Sequence, residues 1–201
     1  MLAFLTVCLI LGCSQGTKNI KGDLEDYRSV IRAREQASSE KNTDYLGDLL
    51  YKVTYQVQVD SIDENVADGL QPWASIAHPK HDIQKLVGAD VIVVPERYIT
   101  ILVDYPILKE YSFTLSSKGG FTRAQLLRAI SAQYHQIYEE EESTAHIKTV
   151  PKKERKETYN RNETDGVHGI WGHDIEDLAL HEILVYRSRE AKIILYLNVY
   201  S

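Results

Sequence analysis

The chain has 201 residues, a length typical of one domain with an extension, and its formal net charge is −6. Apolar residues make up 43% and charged residues 26%, which is the composition of an ordinary globular protein and excludes collagen-like, low-complexity and multi-span membrane proteins. The acidic balance speaks against nucleic acid as a partner.

The two cysteines, Cys8 and Cys13, both lie near the amino terminus. Everything from Ser14 onward is free of cysteine. A disulfide framework, a thiolate zinc site and a cysteine nucleophile are therefore excluded from the region that follows.

The first residues form an apolar run from Leu2 to Leu11. At about 1.5 Å per residue, such a helix covers only about half of a bilayer core and is too short to span it. The run has the length of the apolar region of a signal peptide.

The residues that end this run, Ile10-Leu11-Gly12-Cys13, resemble the lipobox of bacterial lipoprotein precursors. The resemblance implies that residues 1–12 are a signal peptide and that Cys13 becomes the acylated first residue of a protein anchored in the cell envelope. It also implies that Ser14 favours the outer membrane. Two alternatives are an ordinary leader of a secreted protein and a buried N-terminal segment.

Residues 13–22 are polar and glycine-spaced, which is typical of a flexible tether between a lipid anchor and a domain. The remainder, 23–201, predicts a single α+β domain. Its first element is an amphipathic helix from Asp23, as the N-cap, to about Lys41, because apolar residues recur there at helical spacing.

The segment Tyr51–Asp60 alternates between apolar and polar residues, which predicts a half-buried strand of an antiparallel sheet. Ser61–Lys85, with its glycine and prolines, predicts a loop. Further strands are expected from β-branched or alternating runs in Val91–Val94, Arg97–Tyr105, Tyr111–Ser116, Leu178–Arg187 and Lys192–Tyr200, the last two forming a hairpin with a four-residue loop.

Thr122 and Gln125 form a capping box that begins a long amphipathic helix, expected over about residues 122–142. Together these elements predict an α+β fold, with a mostly antiparallel sheet of about five or six strands, an N-terminal helix and one long capped helix.

Two charged blocks follow each other at the end of this helix. Glu139–Glu142 is acidic and the block from Lys152 to Lys156 is mainly basic. Blocks of this kind are normally solvated and pair loosely, so we expect both to lie at the surface. The alternative for the basic block is a patch that binds phosphate or nucleic acid.

The segment 160–181 differs from the rest of the chain because glycines fall at every third position, at Gly166, Gly169 and Gly172. Glycines let a backbone approach a ligand closely, and histidine and tryptophan supply hydrogen-bonding and stacking groups. The candidate ligand-binding residues of this loop are His168, Trp171, His173, Asp174, Asp177 and His181. The alternative is a compact surface loop whose side chains serve the fold.

The histidines and carboxylates of the same loop could also hold zinc or manganese. The possible ligands are His168, His173, Asp174, Asp177 and His181, and His78 or His81 could join them. The EF-hand, P-loop and His-Glu-x-x-His spacings are all absent from the sequence.

Tyrosine is unusually common, with thirteen residues against three phenylalanines. Several tyrosines fall in the expected strands and their ends, namely Tyr51, Tyr55, Tyr105, Tyr111, Tyr186, Tyr196 and Tyr200. A tyrosine-rich sheet face favours a protein partner, although an ordinary half-buried sheet has the same pattern.

The sequence carries no catalytic signature, so the function it predicts is that of a membrane-tethered envelope module that binds a ligand or a partner without catalysis. The alternative is a metal-binding protein or metal-assisted hydrolase that uses the glycine-rich loop.

Overall fold

The computed structural model describes residues 20–60, 66, 69–155 and 163–201, with side chains from residue 25 onward. The expected signal peptide, Cys13, Ser14 and most of the tether lie outside these residues. Within the described part of the chain, none of the helices is both apolar enough and long enough to span a bilayer. The chain divides into two units, Met1–Ser39 and Glu40–Ser201.

The described part of the first unit is helix α1, Ile20–Ser39. The helix begins three residues before the expected N-cap Asp23, inside the segment predicted as tether, and ends two residues before Lys41. On its surface, Arg28 donates to the Glu25 carboxylate at 3.0 Å, a contact between successive turns.

The described residues of the second unit form two α-helices, three short 3-10 helices and ten strands. The α-helices are α2 (Pro79–Ile83) and α3 (Arg123–Thr144). The strands are β1 (Asp48–Thr54), β2 (Val57–Gln58), β3 (Leu70–Gln71), β4 (Ala74–Ser75), β5 (Ile92–Val94), β6 (Tyr98–Val103), β7 (Tyr111–Ser116), β8 (Phe121–Thr122), β9 (Ala179–Arg187) and β10 (Ile193–Tyr200).

Six of these strands form one sheet in the order β1-β9-β10-β6-β7, with β4 pairing β9 beyond the end of β1. All neighbours are antiparallel except β10 and β6, which run parallel. The predicted α+β fold with a mostly antiparallel sheet, an N-terminal helix and a long capped helix is therefore confirmed.

Helix α3 begins with the expected capping box, in which Gln125 N donates to the Thr122 hydroxyl and Thr122 N donates to the Gln125 side chain. Its buried stripe, which includes Leu127 and Ile130, is packed inside the domain. A hydrogen bond joins the helix to one face of the sheet, since Gln133 Nε2 donates to the hydroxyl of Tyr111 in β7 at 3.1 Å.

The opposite face of the sheet carries a smaller cluster of buried side chains. Its members are Leu46, Leu102, Tyr186 and Tyr196, with Leu184 and Ile194 packed against them. The tyrosine hydroxyls of this cluster are satisfied at its edge, because Tyr196 Oη donates to the Asp104 carboxylate at 3.0 Å.

The expected strand over Tyr51–Asp60 is interrupted. Strand β1 ends at Thr54, and Val57 and Gln58 leave the main sheet to pair with Leu70 and Gln71. The expected loop Ser61–Lys85 likewise contains β3, β4 and α2. Val53, Tyr55 and Val57 are all buried, as the alternation predicts. The segment nevertheless does not form one strand, because its pairing partner changes from β9 to β3 along its length.

Candidate functional site

The glycine-rich loop is fastened to helix α3 by a buried carboxylate. The backbone amides of Gly166, His168 and Gly169 all donate to the side chain of Glu141, at 2.8, 2.8 and 3.0 Å. Glu141 is only 1% exposed. Convergence of three amides on one carboxylate fixes the path of this loop without any ligand.

These contacts also decide the charge state of Glu141. Burial alone would raise its pKa, but hydrogen bonds from the Thr164 side chain and the loop amides outweigh burial and hold the pKa below its ordinary value. Glu141 is thus an ionised structural group. The prediction that the whole block Glu139–Glu142 is solvated is wrong at this position.

The basic block has a corresponding buried member. Arg155 forms a two-pronged ion pair with Asp174, in which Nη1 donates to Oδ2 and Nη2 donates to Oδ1, the latter at 3.0 Å. The Arg155 side chain is 7% exposed, so the prediction of a wholly solvated block fails here too. Glu141 of the acidic block and Arg155 of the basic block thus both contact the glycine-rich loop.

Other predicted site residues of the loop also have partners within the protein. His168 is buried, and its Nε2 lies 2.9 Å from the Glu140 carboxylate. Trp171 packs edge-on against Tyr105, with 5.2 Å between ring centroids. The His173 ring stacks on Tyr105 at 5.7 Å. These contacts support the compact-loop alternative for this part of the segment.

The Asp177 side chain forms a hydrogen bond with the backbone. Its carboxylate accepts from the Asp174 amide at 3.0 Å and closes a one-turn helix, Ile175–Asp177. Strand β9 then begins at Ala179, which separates His181 from His173 and Asp177. Among the described residues, no group of three or more histidines, cysteines and carboxylates is arranged to hold a metal ion. Residues 160–162 of this segment are outside the residues that the structure describes.

His181 occupies a different position from the rest of the segment. Across the β9–β10 pair, Asn198 lies opposite Glu182 but Val199 lies opposite Leu180, so His181 is an extra residue without a partner in β10. This is a β-bulge, which redirects a side chain that simple alternation would send to the other face. The bulge lies where β9 changes neighbours from β1 to β4.

As a result, His181 and Glu182 line the same cavity although they are adjacent in a strand. The cavity has a volume of about 350 Å³. Its lining residues are Thr54, Tyr55, Gln56, Pro72, His181, Glu182, Asn198 and Tyr200. This volume lies at the lower end of the range of small-ligand sites.

The His181 imidazole is held by aromatic rings. Trp73 stacks on it with 5.6 Å between centroids, and Tyr200 meets it edge-on at 4.9 Å. Burial lowers the pKa of His181 below 6.5, although the Glu182 carboxylate offsets part of the effect, so the ring is neutral at pH 7. No described residue hydrogen-bonds either of its ring nitrogens.

Glu182 is oriented by two donors. Lys52 Nζ and Asn198 Nδ2 both donate to its Oε1, each at 3.1 Å. Within the described part of the chain, Oε2 receives no hydrogen bond, so this oxygen is an available acceptor beside the neutral imidazole. The lining of this open cavity therefore includes an oriented carboxylate, a neutral imidazole and an amide.

No family model, curated protein or solved structure matches this chain.

Sequence reasoning singled out His181 but not Glu182, Asn198 or Trp73. A signal for two of them was present, because Glu182 and Asn198 interrupt the apolar runs of the two hairpin strands and face each other in register. Trp73 follows Pro72 in a segment predicted as loop, where nothing in the sequence indicated contact with His181.

The tyrosines expected on one sheet face are divided. Tyr55 and Tyr111 contact α3, through the Arg123 carbonyl and Gln133, whereas Tyr186 and Tyr196 belong to the cluster on the opposite face. A protein partner on a sheet face stays a prediction. His78 and His81 lie at α2 and line a separate cavity.

Proposed function

We propose that this protein is a membrane-tethered binding module of a bacterial envelope, that it acts without catalysis, and that its ligand is a neutral, hydroxyl-rich molecule, a saccharide. The observation that carries the ligand site is the β-bulge at His181, which brings His181 and Glu182 to one cavity. The envelope location rests on the lipobox-like residues Ile10–Cys13.

The chemistry of the cavity favours hydroxyl groups over charged ones. Glu182 Oε2 can accept a hydroxyl hydrogen, and the Asn198 and Gln56 amides can both donate and accept. No lysine or arginine is among the described residues that line the cavity, and Lys52 beside it is paired with Glu182, which argues against an anionic ligand. A neutral His181 can donate from one ring nitrogen and accept at the other.

The aromatic parts of the cavity suit the apolar face of a sugar ring. Tyr200 lies at the opening with 44% of its surface exposed, while Tyr55 is buried in the lining. An exposed ring beside oriented polar groups presents an apolar surface and hydrogen bonds at the same place. Because Trp73 and Tyr200 already hold the imidazole, little ordering is required when a ligand binds.

The binding test is calorimetric titration of the full chain in detergent solution with chitotriose and, separately, with cellotriose. We expect at least one of these trisaccharides to bind. Glu182→Gln should weaken that binding at least about tenfold, because a carboxylate that accepts a hydroxyl hydrogen is lost.

The matched control is Glu190→Gln, which makes the same change at an exposed residue in the turn of the same hairpin. This variant should bind like the wild type. Failure of both trisaccharides to bind, or equal weakening by the two variants, would contradict the saccharide proposal.

The tether is tested separately, by growing a bacterial host that expresses the full chain with an alkyne-labelled palmitate. We expect the label on the wild type and on Cys8→Ser, and its loss in Cys13→Ser. Label that persists in Cys13→Ser, or a wild type without label, would contradict the anchor.

A further inference from the structure

A second, larger cavity lies between α2 and α3, with a volume of about 780 Å³. Nine described residues line it, among them Lys80, Arg128 and Ser131. None of the nine is acidic, although the chain as a whole carries a net charge of −6. We call this the basic cavity.

The two cationic side chains of the basic cavity have no contacts with charged or polar partners among the described residues. Lys80 and Arg128 are both exposed, and neither side chain forms an ion pair or hydrogen bond with any described residue. Ser131 also lines the cavity, and only 3% of its surface is exposed. Its hydroxyl has no hydrogen-bond partner within the described part of the chain.

Hydrogen bonds within the protein hold the walls of the basic cavity in place before any ligand binds. The buried Asp82 carboxylate accepts from the Ser75 amide at 2.7 Å and lies 3.1 Å from His81 Nδ1. The Ser75 hydroxyl accepts from the His78 amide at 3.1 Å. His135 Nε2 donates to the Ala77 carbonyl at 3.2 Å, which joins α3 to the segment before α2.

We infer that the basic cavity binds a small organic phosphate. Arg128 and Lys80 supply the charge-assisted donors that a phosphate group requires, and Ser131 supplies a neutral donor. Ala77, Pro79 and Ala132 provide an apolar surface for the rest of the molecule. The cavity falls within the size range of sites for small organic ligands, and concentrated positive charge raises the local concentration of anions.

The experiment titrates the full chain, in detergent solution, with phenyl phosphate and with glycerol 3-phosphate. Phenyl phosphate represents a soluble phosphate with an apolar body, and glycerol 3-phosphate represents a lipid head group. Tighter binding of one or the other identifies the source, and both results support the phosphate site. Phenol lacks the phosphate and should bind at least about tenfold more weakly than phenyl phosphate.

Arg128→Ala should weaken phosphate binding at least about tenfold, and Lys80→Ala should weaken it less. The control Arg189→Ala removes an equal charge at an exposed position in the β9–β10 turn and should change the affinity less than about twofold. Equal effects of Arg128→Ala and Arg189→Ala, or phenol binding as tightly as phenyl phosphate, would overturn the inference. Thermal unfolding of each variant checks that the fold is retained.

Discussion

The carboxylate of Glu141, near the end of helix α3, accepts a hydrogen bond at 2.8 Å from the amide of His168, which lies 27 residues further along the chain. With the amides of Gly166 and Gly169, this contact fixes the glycine-rich loop before strand β9 begins. Glu141 therefore holds the glycine-rich loop against α3, and the candidate ligand site lies beyond this loop, at His181.

Glu141→Gln should destabilise the protein by about 2 kcal/mol, because the amide replaces an ionised acceptor of three backbone hydrogen bonds. Urea unfolding at pH 7 measures this loss. The control Glu139→Gln lies on the exposed side of the same helix and should change the free energy of unfolding by less than about 0.5 kcal/mol.

The cost of Glu141→Gln should also depend on pH. The folded-state pKa of Glu141 is lowered, so the stabilisation it provides is present above the unfolded-state pKa of about 4.3 and is lost as the pH falls through the folded value. Unfolding curves at pH 7 and pH 3 should show the gap between wild type and variant narrowing in acid. A gap that is constant with pH would contradict an ionised Glu141.

Gly166→Ala tests the contact between Glu141 and the glycine-rich loop from the loop side. A Cβ at this position would lie 2.6 Å from Glu141 Oε2 and 2.8 Å from the Glu141 carbonyl oxygen, so the loop and the helix must separate. We expect a loss of about 1–3 kcal/mol in the free energy of unfolding, measured by urea titration. Gly119→Ala is the control, because a Cβ there meets no atom within 4 Å. Equal stability of the two variants would show that the loop is not held tightly against α3.

His181 should titrate below the ordinary range of histidine, because burial lowers its pKa. Trp73→Ala removes the stacked ring and should raise the pKa, whereas Glu182→Gln removes a neighbouring negative charge and should lower it further. Proton NMR titration of the imidazole measures all three values. A His181 pKa that does not respond to either substitution would contradict the described environment.

The same shift has a consequence for stability. Since the folded-state pKa of His181 lies below the unfolded value of about 6.5, the unfolded chain binds more protons as the pH falls below 6.5. His181 therefore contributes a loss of stability on acidification, in the same direction as Glu141 but at a higher pH. His181→Gln should remove this part of the pH dependence from unfolding curves measured between pH 7 and pH 5.

Much of the fold was accessible from local sequence signals. The capping box at Thr122 identified the start of α3, alternation identified β7 at Tyr111–Ser116, and the last two apolar runs identified the β9–β10 hairpin. Each of these features is set by neighbours in the sequence. Their hydrogen bonds form between adjacent turns or adjacent strands, so a local pattern contains the information.

The remaining features depend on contacts between distant residues. A charged run predicts solvation, but Glu141 is buried by a loop that follows more than twenty residues later, and Arg155 is buried by Asp174. The bulge at His181 depends on the register of β10 and on the junction of β1 with β4. Neither the register nor the junction can be read from β9 alone.

The most direct test of the saccharide site follows the His181 imidazole resonances in the full chain while chitotriose and, separately, cellotriose are added. We expect saturable shifts at His181 and no shift at His146, whose side chain is 92% exposed and outside the cavity. In Glu182→Gln, reaching half of the maximal His181 shift should require at least about tenfold more trisaccharide. Trisaccharide binding that leaves His181 unchanged, or a titration midpoint that is the same in wild type and Glu182→Gln, would contradict the assignment of this cavity as the ligand site.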